Sequence, residues 1–552
     1  MENRSNFLEE HFTEYFTEQE ITLLQPFITN INLPVFGLRN LPEVVKGALF
    51  SRYSRSNKSL RRILLDEFIN SSESSFAEIV GKIDKNNPEQ LVAIGQAEAF
   101  YNRVLVGYGD DSVAELGGAH IACEGISNIA AKAIEDSRLG ISPLEKSTRY
   151  VPFNQKINGQ YRYYPEPSIM ASNYAGIYSE TLDHLFDTYS ELFEPLFTWL
   201  KTINPKDSAT TERAYLSATK AKTFDLLRGL LPMATLTNVG LFGNGRAFEY
   251  LLIKLAASPH TEVQQIGLAV QTELDKMIPS FVKRAKTERG AEYVKYLSVN
   301  REKTRELTEN LLGHIQPKNI AIVELIEYDL DGESKVVAAI LYPHTDLTLA
   351  QVREYVDDLS IEEKTGIINT YIGARKSRFH RPNRAFEETY YTFDILADIG
   401  AYRDLQRHRV LTQQRQKYTI DHGYIIPNAI EEAKLTQQYQ KALDNAAKTT
   451  ELISKDFPDA AQYVVPFAYR VRWQIKLNLR EAYHFIELRS ARQGHPTYRA
   501  IAQSMYYQIK AVHPLLIEKM TFVDTDDYAL ERLASEQKID IKREERAIEE
   551  KV

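Results

Sequence analysis

Between about Ser298 and Asn319 the chain reads SVNREKTRELTENLLGHIQPKN, polar and charged throughout, and directly afterwards AIVELIEYD alternates apolar and polar residues. A period of two after a polar helical stretch marks a fresh strand, and with it a new hydrophobic core. The chain needs more than one core. At 552 residues it exceeds what a single ordinary core serves, and two or three domains would each bury ample apolar surface. We therefore expect a division near residue 300, into 1–300 and 301–552. LDGES and KVVAAILY would then complete a β-hairpin whose turn is Asp331-Gly332. Helical periodicity runs over 175–202 and 262–286 in the first part and over 430–454 and 498–520 in the second, while strand-like stretches are fewer. The expected class is a mixed α/β or α+β fold with helices in the majority.

Charge and cysteine content narrow the functional classes. A formal net charge of -8 and a pI near 5.9 argue against broad nucleic-acid binding, which relies on basic surface to release counterions. Any anion site must be local. The single cysteine, Cys123, excludes an internal disulfide and sits in an apolar stretch, where core packing is its natural role; a reducing, cytoplasmic setting is expected. No apolar run approaches the length of a membrane span. The sequence has no H-E-x-x-H, C-x-x-C, Walker loop or G-x-G-x-x-G, so neither a metal nor ATP is indicated; Gly243-Asn244-Gly245 reads as a tight turn opening a helix.

One local surplus of positive charge stands out. From Arg375 to Lys417 there are ten Lys/Arg against five Asp/Glu, and Arg407-His408-Arg409 follows a segment, YYTFDILADIGAYRDLQ, that reads as a strand leading into a helix. Guanidinium groups suit phosphate or an electron-rich flavin ring. On the triplet alone a solvated helix end is the simpler reading. A second cluster shifts the balance: Asn478, Arg480, His484 and Arg489 fall near one face of a helix whose other face offers Leu479, Ala482, Phe485, Ile486 and Leu488. His484 alone would pass for a core histidine, and Arg480 for the partner of Glu481 or Glu487. Two such clusters together read as an anion pocket.

With these residues in place the second half resembles the flavin-dependent thymidylate synthases, the ThyX family. FEETYYTFDILADIGAYRDLQRHR is similar to the family signature, with Glu387, Thr392, Phe393, Arg407, His408 and Arg409 in register. Asn478 and Arg480 match the family's flavin-contacting Asn-x-Arg, Arg489 matches its dUMP-binding arginine, and Ala502-Gln503 matches the pair that follows. Two departures are plain: the loop VLTQQRQKYT at 410–419 is short and lacks Ser-x-Arg-Tyr, and Gln462 stands where the family has an arginine ahead of Pro466.

The first half resembles the same family with the opposite losses. Glu145, Ser147, Arg149 and Tyr150 match the nucleotide loop, and Arg228, Pro232, Thr237, Asn244 and Arg246 repeat the later order. Asp136, Ser137 and Arg138 stand near the position of the cationic triplet, and Leu255 replaces the late arginine. The resemblance implies two tandem domains, each helix-rich around a mainly antiparallel sheet, sharing one composite site. Glu145, Ser147, Arg149, Arg228 and Arg489 would bind dUMP, and Arg407, His408, Arg409 and Arg489 would serve catalysis. Arg407, His408, Arg409, Asn478, Arg480, His484, Asn244 and Arg246 would hold FAD. The implied reaction converts dUMP to dTMP with methylenetetrahydrofolate and NADPH, needs no protein nucleophile, and would be housed in a homodimer of pseudo-tetrameric form. A flavoenzyme for another nucleotide, given the short 410–419 loop, and a non-catalytic nucleotide- or RNA-binding protein are the competing readings. The tail KREERAIEEKV, outside the resemblance, reads as a solvated helix or frayed end.

Overall fold

A computed structural model describes residues 14–53, 56–70, 115–149, 151–317 and 321–549. In chain order, short helices over 18–69 precede β1 (Gly118–Ser127), α1 (Asn128–Glu135) and β2 (Ile141–Glu145). Then come α2 (Ala175–Ile203), α3 (Glu212–Leu227), β3 (Leu236–Asn244), α4 (Gly245–Ala256), α5 (Thr261–Met277) and α6 (Glu288–Leu312). The remainder runs β4 (Val323–Tyr328), α7 (Gly332–Leu341), α8 (Leu349–Asp357), α9 (Ile361–Ile372), β5 (Tyr390–Asp398), α10 (Ile399–Leu405) and β6 (Thr412–Arg415). It closes with α11 (Thr436–Ser454), β7 (Arg470–Asn478), α12 (Leu479–Arg489), α13 (Pro496–Val512) and α14 (Leu533–Glu549). The fold is α+β, rich in helix, with two sheets.

The same plan occurs twice. The first sheet has the order β1-β3-β2 and the second β4-β5-β7-β6, so β5, β7 and β6 repeat β1, β3 and β2 in sequence order and in sheet order. Each repeat enters its first helix through a capped junction: Ser127 Oγ accepts from Ala130 N–H at 3.1 Å, and Asp398 Oδ1 from Ala401 N–H at 2.9 Å. Counted from these caps, Asp136, Ser137 and Arg138 occupy the places of Arg407, His408 and Arg409, which fixes the register of the first half. Asn244 and Asn478 cap α4 and α12 in the same way, and Leu255 then takes the place of Arg489.

The chain groups into two compact units: Met1–Cys123, Leu139–Leu144 and Val239–Gly313 in one, Glu124–Arg138, Glu145–Asn238 and His314–Val552 in the other. The first has its core in Leu49, Ile63, Leu64 and Phe68 from the early helices and Leu251, Leu255, Val270, Leu274 and Phe281 from α4, α5 and the turn after them. In the second, β5 alternates, with Tyr391, Phe393, Ile395 and Ala397 buried and Tyr390, Thr392 and Asp394 on the other face. Antiparallel register sets Phe393 against Ile475 and Ile395 against Trp473, the cross-strand pairing that stabilises a sheet.

Segments from the two repeats pair directly inside the second unit. Met233 N–H donates to Val465 O at 2.9 Å and Phe467 N–H to Leu231 O at 2.9 Å, with Pro232 opposite Pro466. The proline step of one repeat thus faces its own counterpart. Helices α2 and α11 pack beside this seam, where Thr181 and Thr449 share a buried hydroxyl–hydroxyl bond of 2.7 Å.

The structure corrects one expectation: no hairpin forms at Asp331-Gly332. Strand β4 ends at Tyr328 and α7 begins at Gly332, burying Val336, Val337 and Ile340 at helical spacing. Lys335 bonds Asp329 at 2.9 Å and Asp331 at 3.0 Å, fastening the first turn. A Cβ on Gly332 would lie 2.6 Å from both His513 Cε1 and Thr389 Oγ1, so the glycine serves close packing of the helix start. VVAAIL, after Lys335, is a continuous apolar run, which periodicity cannot assign to strand or helix. Three of the expected helical stretches are also interrupted. Helix α5 ends at Met277 ahead of Pro279, α13 ends at Val512 ahead of Pro514, and the stretch from 430 divides into Asn428–Glu432 and α11. The C-terminal segment is helical, and α14 holds Arg213 of α3 through Glu536 at 2.9 Å and Asp540, with residues 542–546 exposed.

Candidate nucleotide site

Strand β2 ends at Glu145, which is 5% exposed, and the loop beyond it turns inward to Arg149. Glu145 meets three cations: Lys132 Nζ at 2.9 Å, Arg403 Nη2 at 2.6 Å and Arg407 Nη2 at 3.0 Å. Lys132 and Arg403 hold the same place in α1 and α10, so both repeats grip a single carboxylate. Burial pushes the Glu145 carboxyl upward, but Arg403, Lys132 and Arg407 together hold it well below the usual range.

Arg149 is fully engaged. Its Nε and Nη2 donate to the two oxygens of Asp225 at 2.6 Å each, and its Nη1 donates to Tyr498 OH at 3.1 Å. The bidentate geometry is the strong form of this pair. Ser147 Oγ accepts from the Arg149 amide at 3.3 Å. Tyr150 lies outside the described residues. Arg228, 3% exposed at the end of α3, donates from Nη1 to Asp404 Oδ2 at 3.1 Å, while its buried Nη2 has no partner. Asp404 lies on α10 and feels four guanidiniums: against the upward push of burial, Arg228, Arg407, Arg149 and Arg489 hold its carboxyl far below the ordinary value. The Nε of Arg407 is likewise buried without a partner. Tyr498 receives Arg149 and Arg489 at its ring, 5.8 and 5.7 Å from the centroid.

A second group sits on α12. Capping by Asn478 Oδ1, 2.8 Å from Glu481 N, sets the helix start. Buried His408 joins this helix twice: its Nδ1 lies 2.8 Å from Glu481 Oε1, and Arg489 Nε donates to its Nε2 at 2.9 Å. Burial, helped by Arg489, His484 and Arg381, pulls the His408 pKa well below the usual value, so the ring is neutral with its proton on Nδ1. His484 lies 5.3 Å away, ring to ring, and burial and the same arginine neighbourhood lower it to about 4. His408, Glu481 and His484 carry donor atoms at metal-compatible spacing. The guanidinium on His408 Nε2 and the influence of Arg378, Arg381 and Arg489 make this a poor place for a dication. Arg480 pairs with neither Glu481 nor Glu487. Its Nη1 donates to Glu387 at 2.8 Å and its Nε to Pro382 O at 2.9 Å, while Glu487 binds Arg375 through two bonds of 2.6 Å.

The second unit therefore gathers Glu145, Ser147, Arg149, Arg228, Arg407, His408, Arg409, Asn478, Arg480, His484 and Arg489. Arg409 is exposed, and its carbonyl accepts from Arg138 Nε at 3.3 Å. Asn244 and Arg246 belong to the first unit. There they line a cavity of about 540 Å³ with Arg284, Arg289, Tyr250 and Tyr293, and Arg246 donates to Glu115 at 2.8 Å. Gln462 is committed to backbone, accepting from Tyr418 N–H at 3.1 Å. Sequence reasoning passed over Asp225, Asp404, Tyr498, Lys132, Arg403 and Glu481 as site residues. The signal available for Lys132 and Arg403 was their matched distance from the two helix caps.

The fold repeat and the matched caps define a duplicated α+β protein whose second unit gathers a cluster of buried arginines. The family described as thymidylate synthase complementing protein matches residues 65–280 and 324–515. The chain belongs to this family, in a tandem form. It is 42% identical over 525 residues to the UPF0159 protein of Chlamydia pneumoniae, covering 95% of this chain and 98% of that one. It is 31% identical to the UPF0159 protein of Thermoplasma acidophilum over 90% of this chain and 99% of that one. Against the flavin-dependent thymidylate synthase of Sulfurisphaera tokodaii it is 30% identical over 206 residues, 35% of this chain and 75% of that one.

Proposed function

We propose that the chain is a flavin-dependent thymidylate synthase working at one composite site, with dUMP as substrate and methylenetetrahydrofolate and NADPH as co-substrates. The observation that carries this reading is the orphaned pair of buried guanidinium nitrogens, Arg228 Nη2 and Arg407 Nε, beside the arginine-ringed Asp404. A buried donor without a partner costs free energy unless a ligand completes it, and a phosphate monoester supplies several acceptors. Arg228, Arg407 and Arg489 would bind the nucleotide's anionic groups, with Arg149 and Tyr498 holding Arg489 in place. Glu145 would orient Arg407.

FAD suits the α12 side. Arg480, His484, Arg378 and Arg381 offer cationic and planar surface there, appropriate to pyrophosphate and to an anionic ring. The bound flavin would supply reducing equivalents; His408, Glu481 and Arg480 would fix its surroundings and exclude water. Asn244 and Arg246 would serve the equivalent place in the first unit. As a fused pair the chain would assemble as a homodimer, read as a sedimentation mass of two chains.

The test is the visible spectrum of the purified protein before and after dUMP, with Arg489→Ala alongside. A flavin band that dUMP perturbs in the wild type but not in the variant, followed by dTMP formation, is the expected result. A colourless protein that also fails to take up FAD would overturn the reading.

A further inference from the structure

The line Glu481–His408–Arg489 has a chemical direction. A guanidinium only donates, so Arg489 Nε–H requires a bare His408 Nε2; the ring proton must then sit on Nδ1, where Glu481 Oε1 accepts it. All three groups are buried or half-buried, and the His408 ring packs tilted against Phe485, 4.4 Å between ring centroids. We propose that Glu481 is a positioning residue: by fixing the His408 proton on Nδ1 it turns Nε2 toward Arg489 and aims that guanidinium into the arginine cluster.

The reasoning follows from what each alternative would do. Without an acceptor at Nδ1 the ring can place its proton on Nε2, which then meets the Arg489 Nε–H donor to donor. Arg489 loses its anchor and swings. The charged groups acting on Glu481 are Arg480 and Arg489 of its own helix and Arg381 from the loop after α9, with His408 in direct contact and His484 beside it. Burial outweighs those arginines and pushes the Glu481 carboxyl up to about 7. The relay is thus set above that pH and weakened below it, when Glu481 itself carries a proton.

The consequence for the nucleotide rests on the synthase reading; the proton assignment does not. Two variants test both. Glu481→Gln keeps a carbonyl acceptor, whereas Glu481→Leu removes it. In protein labelled with 15N-histidine and assigned with His408→Gln, the wild type and Glu481→Gln should show the Nδ1–H form and Glu481→Leu should not. At pH 8, Glu481→Leu should weaken dUMP binding by roughly tenfold or more, the scale of one charge-assisted bond. Glu481→Gln should stay within about threefold. The wild-type affinity should fall below pH 7 more steeply than that of Glu481→Gln. Stability should move the other way. A carboxyl raised on folding contributes most at low pH and loses that contribution as pH rises through about 7, so Glu481→Gln should gain melting temperature over the wild type between pH 5.5 and 8.5. An unchanged tautomer and unchanged dUMP affinity in folded Glu481→Leu would overturn the proposal. A wild type that does not bind dUMP would overturn the synthase reading, and the histidine spectra would still decide the relay.

Discussion

Glu145 shows how one residue can serve both halves of a chain. Its two strongest partners, Lys132 and Arg403, are counterparts in the repeat, so the symmetric cations converge on an unsymmetric carboxylate; by strand register its own counterpart is Arg415. Breaking a buried ion pair on one side is costly, about 3–5 kcal/mol, because the remaining charges stay desolvated. Glu145→Gln should therefore lower stability by that order at neutral pH, measured by denaturant unfolding. Glu145, Asp225 and Asp404 are all held below their unfolded values, so the stability they contribute is present above roughly pH 4 and lost as pH falls beneath it. Melting temperature should drop steeply on that side, and the deficit of Glu145→Gln should narrow there. The arginines were legible from residue type and spacing; their carboxylate partners were not. Asp225 and Arg149 stand 76 positions apart, and Glu145 and Arg403 stand 258 apart, separations at which sequence pattern carries no pairing information.

Elements set the reach of these residues. β5 and β7 lie side by side and antiparallel, β5 runs into α10 and β7 into α12, and the chain after α10 places His408 against α12. The strand-to-helix passage at 390–405 was readable because strand alternation gives way to helical spacing; at 470–489 the helix was readable, but the strand before it and the capping role of Asn478 were not. The passage at 330–341 was misread because an all-apolar run has no period. Close packing at its start is the physical test: Gly332→Ala should destabilise by about 1–3 kcal/mol, since the added methyl would force apart Thr389 and His513. A variant as stable as the wild type in urea unfolding would show that α7 can shift without loss.

At the scale of the whole molecule, duplication changes what a site requires. Arg149 and Arg228 come from before residue 300, and Arg407 and Arg489 from after it, yet all four act on one carboxylate, Asp404. Fragments 1–300 and 301–552 expressed separately should each fail to bind dUMP, and co-expression should restore binding through the Pro232–Pro466 seam and the α2–α11 contact. Full dUMP affinity in one isolated fragment would show that the site is not shared.

The sequence by itself determined the strand-to-helix passage at 390–405 and the inventory of arginines, because each depends on neighbours within a few residues, and the tandem plan showed in the family motifs carried by both halves. Only the tertiary structure decided which carboxylates neutralise those arginines, which buried donors are left open, and that His408 is held between Glu481 and Arg489. Charge pairing and desolvation depend on distance in space, and the folded chain brings together there residues that sequence order keeps far apart.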